Sequence, residues 1–353
     1  MIKIGERSIG DGCPTFITFE AGATHCGFSN AKELAQVAAN SGGDAIKFQI
    51  FDPDELISDR NFMYSYDILV DRESGATERI EESLYDIFVR RSLSGSEWKQ
   101  LKRYCDELGI TFFATIGDEY GLNLVKSLGC ESVKIASSDI NYFPFIRKVA
   151  KLGVSVQIDT GNSTFDEIHK AVQIIKECGN EQFVLHNCPS GYPANLDTVH
   201  LRSIPTLKST FGCPVAFSDH TPGETMDIAA ICFGANMIEK TITTNRMTRS
   251  VEHIMSLEPP DVSRFVDNIR DLERAFGDSL PELTPPQSMQ AKKLRRSVIL
   301  DQDVVKGQKL NEIKVKFKRP GFGITPDVYE KISGMSFKND LAAGSRVRWE
   351  DLD

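Results

Sequence analysis

The chain has 353 residues, a net charge of −9 and 41% hydrophobic residues. That length suits one large domain plus one small one, and the acidic balance argues against nucleic acid or an anionic membrane as a partner. No apolar run is long enough to span a bilayer. The eight cysteines are scattered without a CxxC pair, as in a reducing cytosol, and the N-terminus lacks the apolar segment of a signal peptide, so a cytoplasmic location is expected.

Residues 16–20 form a short apolar strand ending on Glu20. Ser29 or Asn30 is expected to cap the following helix, with Glu33 placed for a capping box. A second strand over 44–48 ends around Lys47 and Gln49. The polar excursion from Asp52 to about Thr77 holds Phe62, Tyr64 and Tyr66, which predicts a folded flap. A helix over 97–108, capped by Ser96, stops at Gly109 and leads into a strand over 110–115. A helix over 121–128 and a strand over 132–135 follow, with Lys134 near the strand end and Ser137 just past it. Helix 143–152, strand 154–158 and helix 166–178 continue the series, the last capped by Ser163 or Thr164. Strand six, 183–185, runs into His186. Strand seven turns at its end into Ser218, Asp219 and His220. Strand eight, 236–238, ends on Glu239 and Lys240, and a helix over 260–276 closes the series.

Strands alternating with helices imply a parallel sheet, and eight of them imply a TIM (β/α)8 barrel in the α/β class. A doubly wound sheet would want a GxGxxG turn after its first strand, and the Ala21–Gly27 segment lacks that spacing. The barrel is assigned to 1–280 and a proline-rich linker to 281–286. Residues 287–353 are expected to form a small, mostly β domain, with short strands over 294–305 and 309–317 and a rigid loop at Arg319-Pro320-Gly321.

All eight strands end on polar residues, at the rim where such barrels carry their chemistry. Lys47, Thr115, Lys134 and Ser137 together can hold a phosphate through charge-assisted bonds. His186 and His220 with a carboxylate can hold a divalent metal, although a strand-end histidine such as His186 is equally a hydrogen-bonded core residue. A free Glu20 can move protons. Phosphate, metal and acid together point to a phosphorylated substrate and a carbonyl to be polarised.

These stretches resemble the N-acetylneuraminate (sialic acid) synthase family over nearly the whole chain. The resemblance is carried by Phe19-Glu20-Ala21-Gly22, Lys47-Phe48-Gln49, Lys134-Ile135-Ala136-Ser137, Ser218-Asp219-His220-Thr221, Ser256-Leu257-Glu258-Pro259 and Arg319-Pro320-Gly321. The tail resembles the antifreeze-like (SAF) domain of these synthases. The resemblance implies condensation of phosphoenolpyruvate with an open-chain N-acyl aldose to a 3-deoxy-2-keto nonulosonic acid plus phosphate. It places phosphoenolpyruvate on Lys47, Thr115, Lys134 and Ser137, and a divalent ion, Mn²⁺ or Mg²⁺, on His186 and His220. Glu20 acts beside the aldehyde, and Gln49, Asn162, Asp219 and Arg319 surround the sugar. Arg319 is expected to reach the site from the partner subunit of a domain-swapped homodimer.

This chain departs from the family pattern at Asp159 and Asn162, at Thr241, at Val251-Glu252, and by one extra residue between His186 and Ser190. The departures surround the mouth and leave the phosphoenolpyruvate positions intact, which implies a kept reaction and an altered sugar. Two other readings remain open: a Schiff-base aldolase using Lys134, and a non-catalytic sugar-binding barrel.

Overall fold

The apolar runs separated by glycine-stopped helices form a closed ring of parallel strands in a computed structural model describing residues 1–353. An antiparallel hairpin, β1 (Ile2–Ile4) and β2 (Arg7–Ile9), precedes the ring. The barrel strands are β3 (Phe16–Glu20) and β4 (Ala45–Ile50), then, after the flap hairpin β5 (Met63–Leu69) and β6 (Thr77–Ser83), β7 (Thr111–Ile116) and β8 (Ser132–Ile135). They continue as β9 (Ser155–Asp159), β10 (Phe183–Asn187), β11 (Val215–Asp219) and β12 (Met237–Thr241). Barrel strands adjacent in sequence are adjacent in space, and β12 pairs with β3 to close the ring.

Side chains alternate across each strand with period two, which sorts them into layers. Outward residues such as Phe19, Phe48, Val133, Ile158 and Phe217 join the large core under the helices. On six strands the lowest inward layer is apolar: Phe16, Ala45, Phe113, Val184, Ala216 and Met237 pack with Ile2, Ile4 and Ile9, while β8 and β9 place the uncharged Ser132 and Ser155 there. The N-terminal hairpin, which carried no strong sequence signal in six short residues, thus plugs the barrel bottom. One step up each strand the inward residues become polar, so charge is confined to the top of the interior.

Helix starts differ in detail from expectation. The first helix, Phe28–Asn40, begins after Gly27 without a side-chain cap, and Ser29 and Asn30 lie inside it. Ser94 rather than Ser96 caps Gly95–Leu108, because Glu97 then sits at the third position and completes the capping box. Thr164 caps Phe165–Glu177 in the same way with Glu167. A helix at Ser203–Phe211 was not anticipated.

The flap is folded, as its aromatic content implies. Tyr66, Ile68, Ile80 and Ile87 form a small core with Val251. Arg72 in its turn donates to both carboxylate oxygens of Glu258 at 2.6 Å each, a bidentate geometry that fixes orientation as well as position. The strand β6 runs directly into a helix, Leu84–Arg90, started by the Ser83 side chain.

The chain divides into two compact units, Met1–Phe276 and Gly277–Asp353. In the second, Pro285 and Pro286 do not belong to a linker; they open a helix, Pro285–Leu294, capped by Thr284. Proline is suited to the first turn because its missing N–H has no intrahelical partner there. The strands of this unit are shorter than expected: β13 (Ser297–Leu300) pairs antiparallel with β14 (Val315–Lys318) around Val298, Leu300, Leu310, Phe337 and Val347. No helix of the chain is long and apolar enough to cross a membrane.

Candidate active site

The inward polar residues meet at the top of the barrel below a cavity of about 500 Å³. Its wall includes Glu20, Lys47, Gln49, Thr115, Ser137 and Asp159, together with Asn162, His220 and Glu239. Lys134 is 1% exposed and lies beneath this floor.

Two lysines organise the floor. Lys47 Nζ donates to Thr115 Oγ1 at 2.8 Å, pairs with the Glu20 carboxylate and lies 3.5 Å from Glu239 Oε1. Lys134 Nζ donates to Ser218 Oγ at 2.8 Å and to Glu239 Oε1 at 2.6 Å, and sits 2.9 Å from Asp159 Oδ1. Burial alone would lower the Lys134 pKa, but the Asp159 and Glu239 carboxylates outweigh it and hold the ammonium above its ordinary range. Burial pushes Glu239 up, and the two lysines more than reverse that, leaving it below the usual carboxylate range. Glu20 goes the other way: its burial outweighs the Lys47 charge, and its pKa is raised. One carboxylate stays ionised and its neighbour is shifted toward the acid form, a separation of roles typical of acid–base sites.

A glycine shapes the Glu20 corner. A Cβ on Gly22 would lie 2.4 Å from the Gln49 backbone nitrogen and 2.6 Å from Glu20 Oε1. Only glycine lets the chain turn here, and the turn brings the Ala23 N–H to Glu20 Oε1 at 3.1 Å. Gln49 Nε2 faces the same oxygen at 3.4 Å.

The two histidines are not equivalent. His186 is fully buried. Gln157 donates its amide to Ser132 Oγ, so its Oε1 is left to accept from His186 Nε2 at 2.9 Å, while Nδ1 meets the Ser218 hydroxyl at 2.9 Å. Burial, reinforced by Lys134, pushes the His186 pKa down to about 3. The ring is therefore a neutral core histidine with both nitrogens engaged. His220 lines the cavity, with Nδ1 2.8 Å from the Pro189 carbonyl and the Tyr192 ring packed on it at 4.6 Å. A divalent ion on the His186–His220 pair does not fit this arrangement, since His186 lies outside the cavity wall and the lone pair of its neutral ring, on Nδ1, is engaged by the Ser218 hydroxyl. No group of three or more His, Cys, Asp and Glu side chains is set to hold a metal ion.

Asp219 also departs from expectation. The residue before it, Ser218, points inward, so Asp219 points outward by the strand period. There it pairs with Lys240, itself next to the inward Glu239, and Lys240 is 3.2 Å from Asp227 Oδ2 on the helix Thr225–Cys232. This buried triad ties the helix to the sheet and lies outside the cavity wall. Asn162, with φ 51°, lies at the cavity wall. Arg319 lies exposed in the loop after β14 of the second unit.

Arg91, from the end of the flap helix, had no sequence signal of its own, and Glu252, from a loop after β12, was marked only as a departure from the family pattern. Glu239 did carry a signal, as the strand-end acid beside Lys240.

A closed (β/α)8 barrel with an ion-paired floor and a cavity at its C-terminal rim defines a barrel of the enzyme type. The chain belongs to the NeuB family, whose sequence profile matches residues 34–280, and a SAF domain profile matches 295–353. It is 31% identical over 354 residues to an N,N'-diacetyllegionaminic acid synthase of Legionella pneumophila, covering 99% of this chain and 98% of that one. It is 33% identical over 352 residues to an uncharacterized protein of Methanocaldococcus jannaschii, covering 99% and 98%. Among solved structures it is similar to an N-acetylneuraminic acid (sialic acid) synthetase from Leptospira borgpetersenii in complex with citrate. The TM-score is 0.70 at 29% identity, covering 82% of this chain and 94% of that chain.

Proposed function

We propose that the protein condenses phosphoenolpyruvate with an open-chain N-acyl aldose, giving a 3-deoxy-2-keto nonulosonic acid and phosphate. The observation that carries this reading is the floor itself: Lys47 and Lys134 sit among Glu20, Asp159 and Glu239 below a cavity walled by Thr115 and Ser137. Lys47, Thr115 and Ser137 would bind the anionic groups of phosphoenolpyruvate. Lys134, held from below, adds positive potential and fixes Glu239.

In the reaction, C3 of phosphoenolpyruvate bonds to the aldehyde carbon, and the aldehyde oxygen takes a proton. Water adds at C2 and gives up a proton; the C2–O bond to phosphate then breaks as the new C2 hydroxyl becomes the carbonyl, its remaining proton passing to the leaving phosphate. Glu20, whose burial favours its acid form, would supply the proton to the aldehyde oxygen and recover one from the water. The two-histidine ion implied by the family resemblance has no support in the His186 contacts, so no step is assigned to it.

The ion pairing of Lys134 weighs against the aldolase reading. A Schiff base needs a neutral amine, and two carboxylates hold this one charged. The test is phosphate release from phosphoenolpyruvate with a panel of N-acyl aldoses, alongside borohydride treatment with pyruvate. Acceptor-dependent phosphate release is expected; a borohydride-trapped adduct on Lys134 without it refutes the proposal.

A further inference from the structure

Two segments outside the ring supply one side of the cavity. The flap gives Tyr64, Leu84, Ile87 and Phe88, and the loop over 243–258 gives Val251 and Glu252. They are joined along their length. Val251 packs into the small flap core with Tyr66, Ile68 and Ile80. Arg90 Nη2 donates to Ser250 Oγ at 3.1 Å. At the far end of the hairpin, Arg72 closes on Glu258.

Both sides of that last contact are anchored. On the flap side, Asp71 accepts from the Glu73 N–H at 2.9 Å and from the Ser74 hydroxyl at 2.7 Å, and Gly75 takes the φ of 70° that closes the turn. Arg72 is thereby presented on an ordered turn. On the barrel side, Leu257 exchanges backbone bonds with Thr241 and Thr243 at 2.9 Å each, which prolongs β12. The helix Pro259–Phe276 begins immediately after Glu258. Glu258 also accepts from the Arg246 N–H at 2.9 Å, and Arg72 Nη2 reaches Asn245 Oδ1 at 2.7 Å. The Arg72 bonds, ahead of any other cause, hold the Glu258 carboxyl below the usual range, at about 2. Most exposed ion pairs contribute little. This one has two parallel bonds onto a carboxylate side chain only 13% exposed.

Neither Arg72 nor Glu258 lines the cavity. Arg72 follows Tyr64 by eight residues, roughly 25 Å of extended chain. Any effect of the pair on a bound substrate therefore runs through the flap. A two-stranded hairpin is marginal by itself, so fixing its far end decides how steadily Tyr64, Leu84 and Ile87 face Val251 and Glu252.

We propose that the Arg72–Glu258 clamp locks the flap and the loop over 243–258 into one wall. That wall sets the affinity for the acceptor, while the lysine floor binds phosphoenolpyruvate independently of it. Arg72 and Glu258 are positioning residues, which touch no substrate and act by preorganising the side chains the wall presents. The division between the two substrates rests on the synthase reading; the clamp itself does not.

Amide hydrogen exchange on the full chain reads the clamp, and steady-state phosphate release reads its consequence. Arg72→Ala should speed exchange in two stretches together, 63–83 and 244–256, and leave β7 to β9 as in wild type. Its acceptor KM should rise by about three- to tenfold, with kcat and the phosphoenolpyruvate KM near wild type. Arg72→Lys keeps the charge without the fork and should fall between. Glu258→Gln should reproduce the Arg72→Ala changes, and the double variant should add little to either. Because Glu258 also holds Arg246, the two Arg72 variants decide the matter if Glu258→Gln does not fold. Faster exchange confined to 70–76, additive effects in the double variant, or a phosphoenolpyruvate KM that rises as much as the acceptor KM overturns the proposal. Coupled exchange in both stretches, in a protein that releases no phosphate with any N-acyl aldose, leaves the clamp standing and refutes the synthase reading.

Discussion

Replacing Lys134 by Met removes one cation and leaves two buried carboxylates facing each other. At an effective dielectric of about 20, a charge pair at the 2.9 Å separation of Lys134 and Asp159 attracts by about 6 kcal/mol, and desolvation offsets much of it. The Glu239 contact at 2.6 Å is of the same order. Losing one partner of a buried pair costs about 3–5 kcal/mol, and the Ser218 bond is lost as well. Lys134→Met is therefore expected to lower unfolding stability at pH 7 by about 3–5 kcal/mol, read from urea denaturation. The sign of the pH dependence follows from Glu239. Its folded pKa is depressed, so in the wild type its contribution is present above the unfolded value near 4.3 and is lost as pH falls through the folded value. Without Lys134 that depression weakens, so the deficit should shrink as pH falls below about 4.3, where the carboxylate of the variant takes up its proton before that of the wild type. A second substitution, Glu239→Gln, should restore part of the loss at pH 7. A Lys134→Met midpoint within about 1 kcal/mol of wild type, with no rescue by Glu239→Gln, would mean that the floor is not held by this network.

Lys47→Met should raise the phosphoenolpyruvate KM by about tenfold or more, from about 1.5–3 kcal/mol for a charge-assisted bond, with a smaller effect on the acceptor; a change confined to the acceptor would assign Lys47 to the sugar. His186→Ala should destabilise the protein by about 1–3 kcal/mol, because it strands Gln157 and Ser218, while bound metal measured by elemental analysis stays as in wild type. Loss of metal with unchanged stability would reinstate His186 as a ligand. Burial raises the Glu252 pKa to about 7, so its contribution is present below the unfolded value near 4.3 and is lost as pH rises through about 7. Glu252→Gln should accordingly flatten the stability profile between those pH values, and an unchanged profile would show Glu252 to be solvated. Mixed dimers of Arg319→Ala and Lys47→Met subunits should regain activity if Arg319 serves the partner's site, whereas inactive verified heterodimers would refute a swapped arrangement.

The sequence by itself determined the barrel, because eight apolar runs separated by glycine-stopped helices leave few other ways to bury both faces of a parallel sheet. It also placed Glu20, Thr115 and Ser137 at the rim, since each falls at or just past the end of an apolar strand, and Lys47 within the second strand, pointing to the same interior as Gln49. Tertiary structure decided which way neighbouring strand-end residues face. Ser218 and Asp219 are adjacent in the chain, yet one joins the Lys134 network and the other a helix-locking triad. That choice depends on the phase of the strand in the closed ring, which a run of residues buried on both faces does not reveal. The sequence offered His186 as a ligand or a core histidine alike, and only the closed ring brings Gln157 and Ser218, from the two flanking strands, within hydrogen-bond distance of its two nitrogens. Arg91 and Glu252 lie 161 positions apart, and only the folding of the flap beside the loop after β12 brings both to the wall of one cavity.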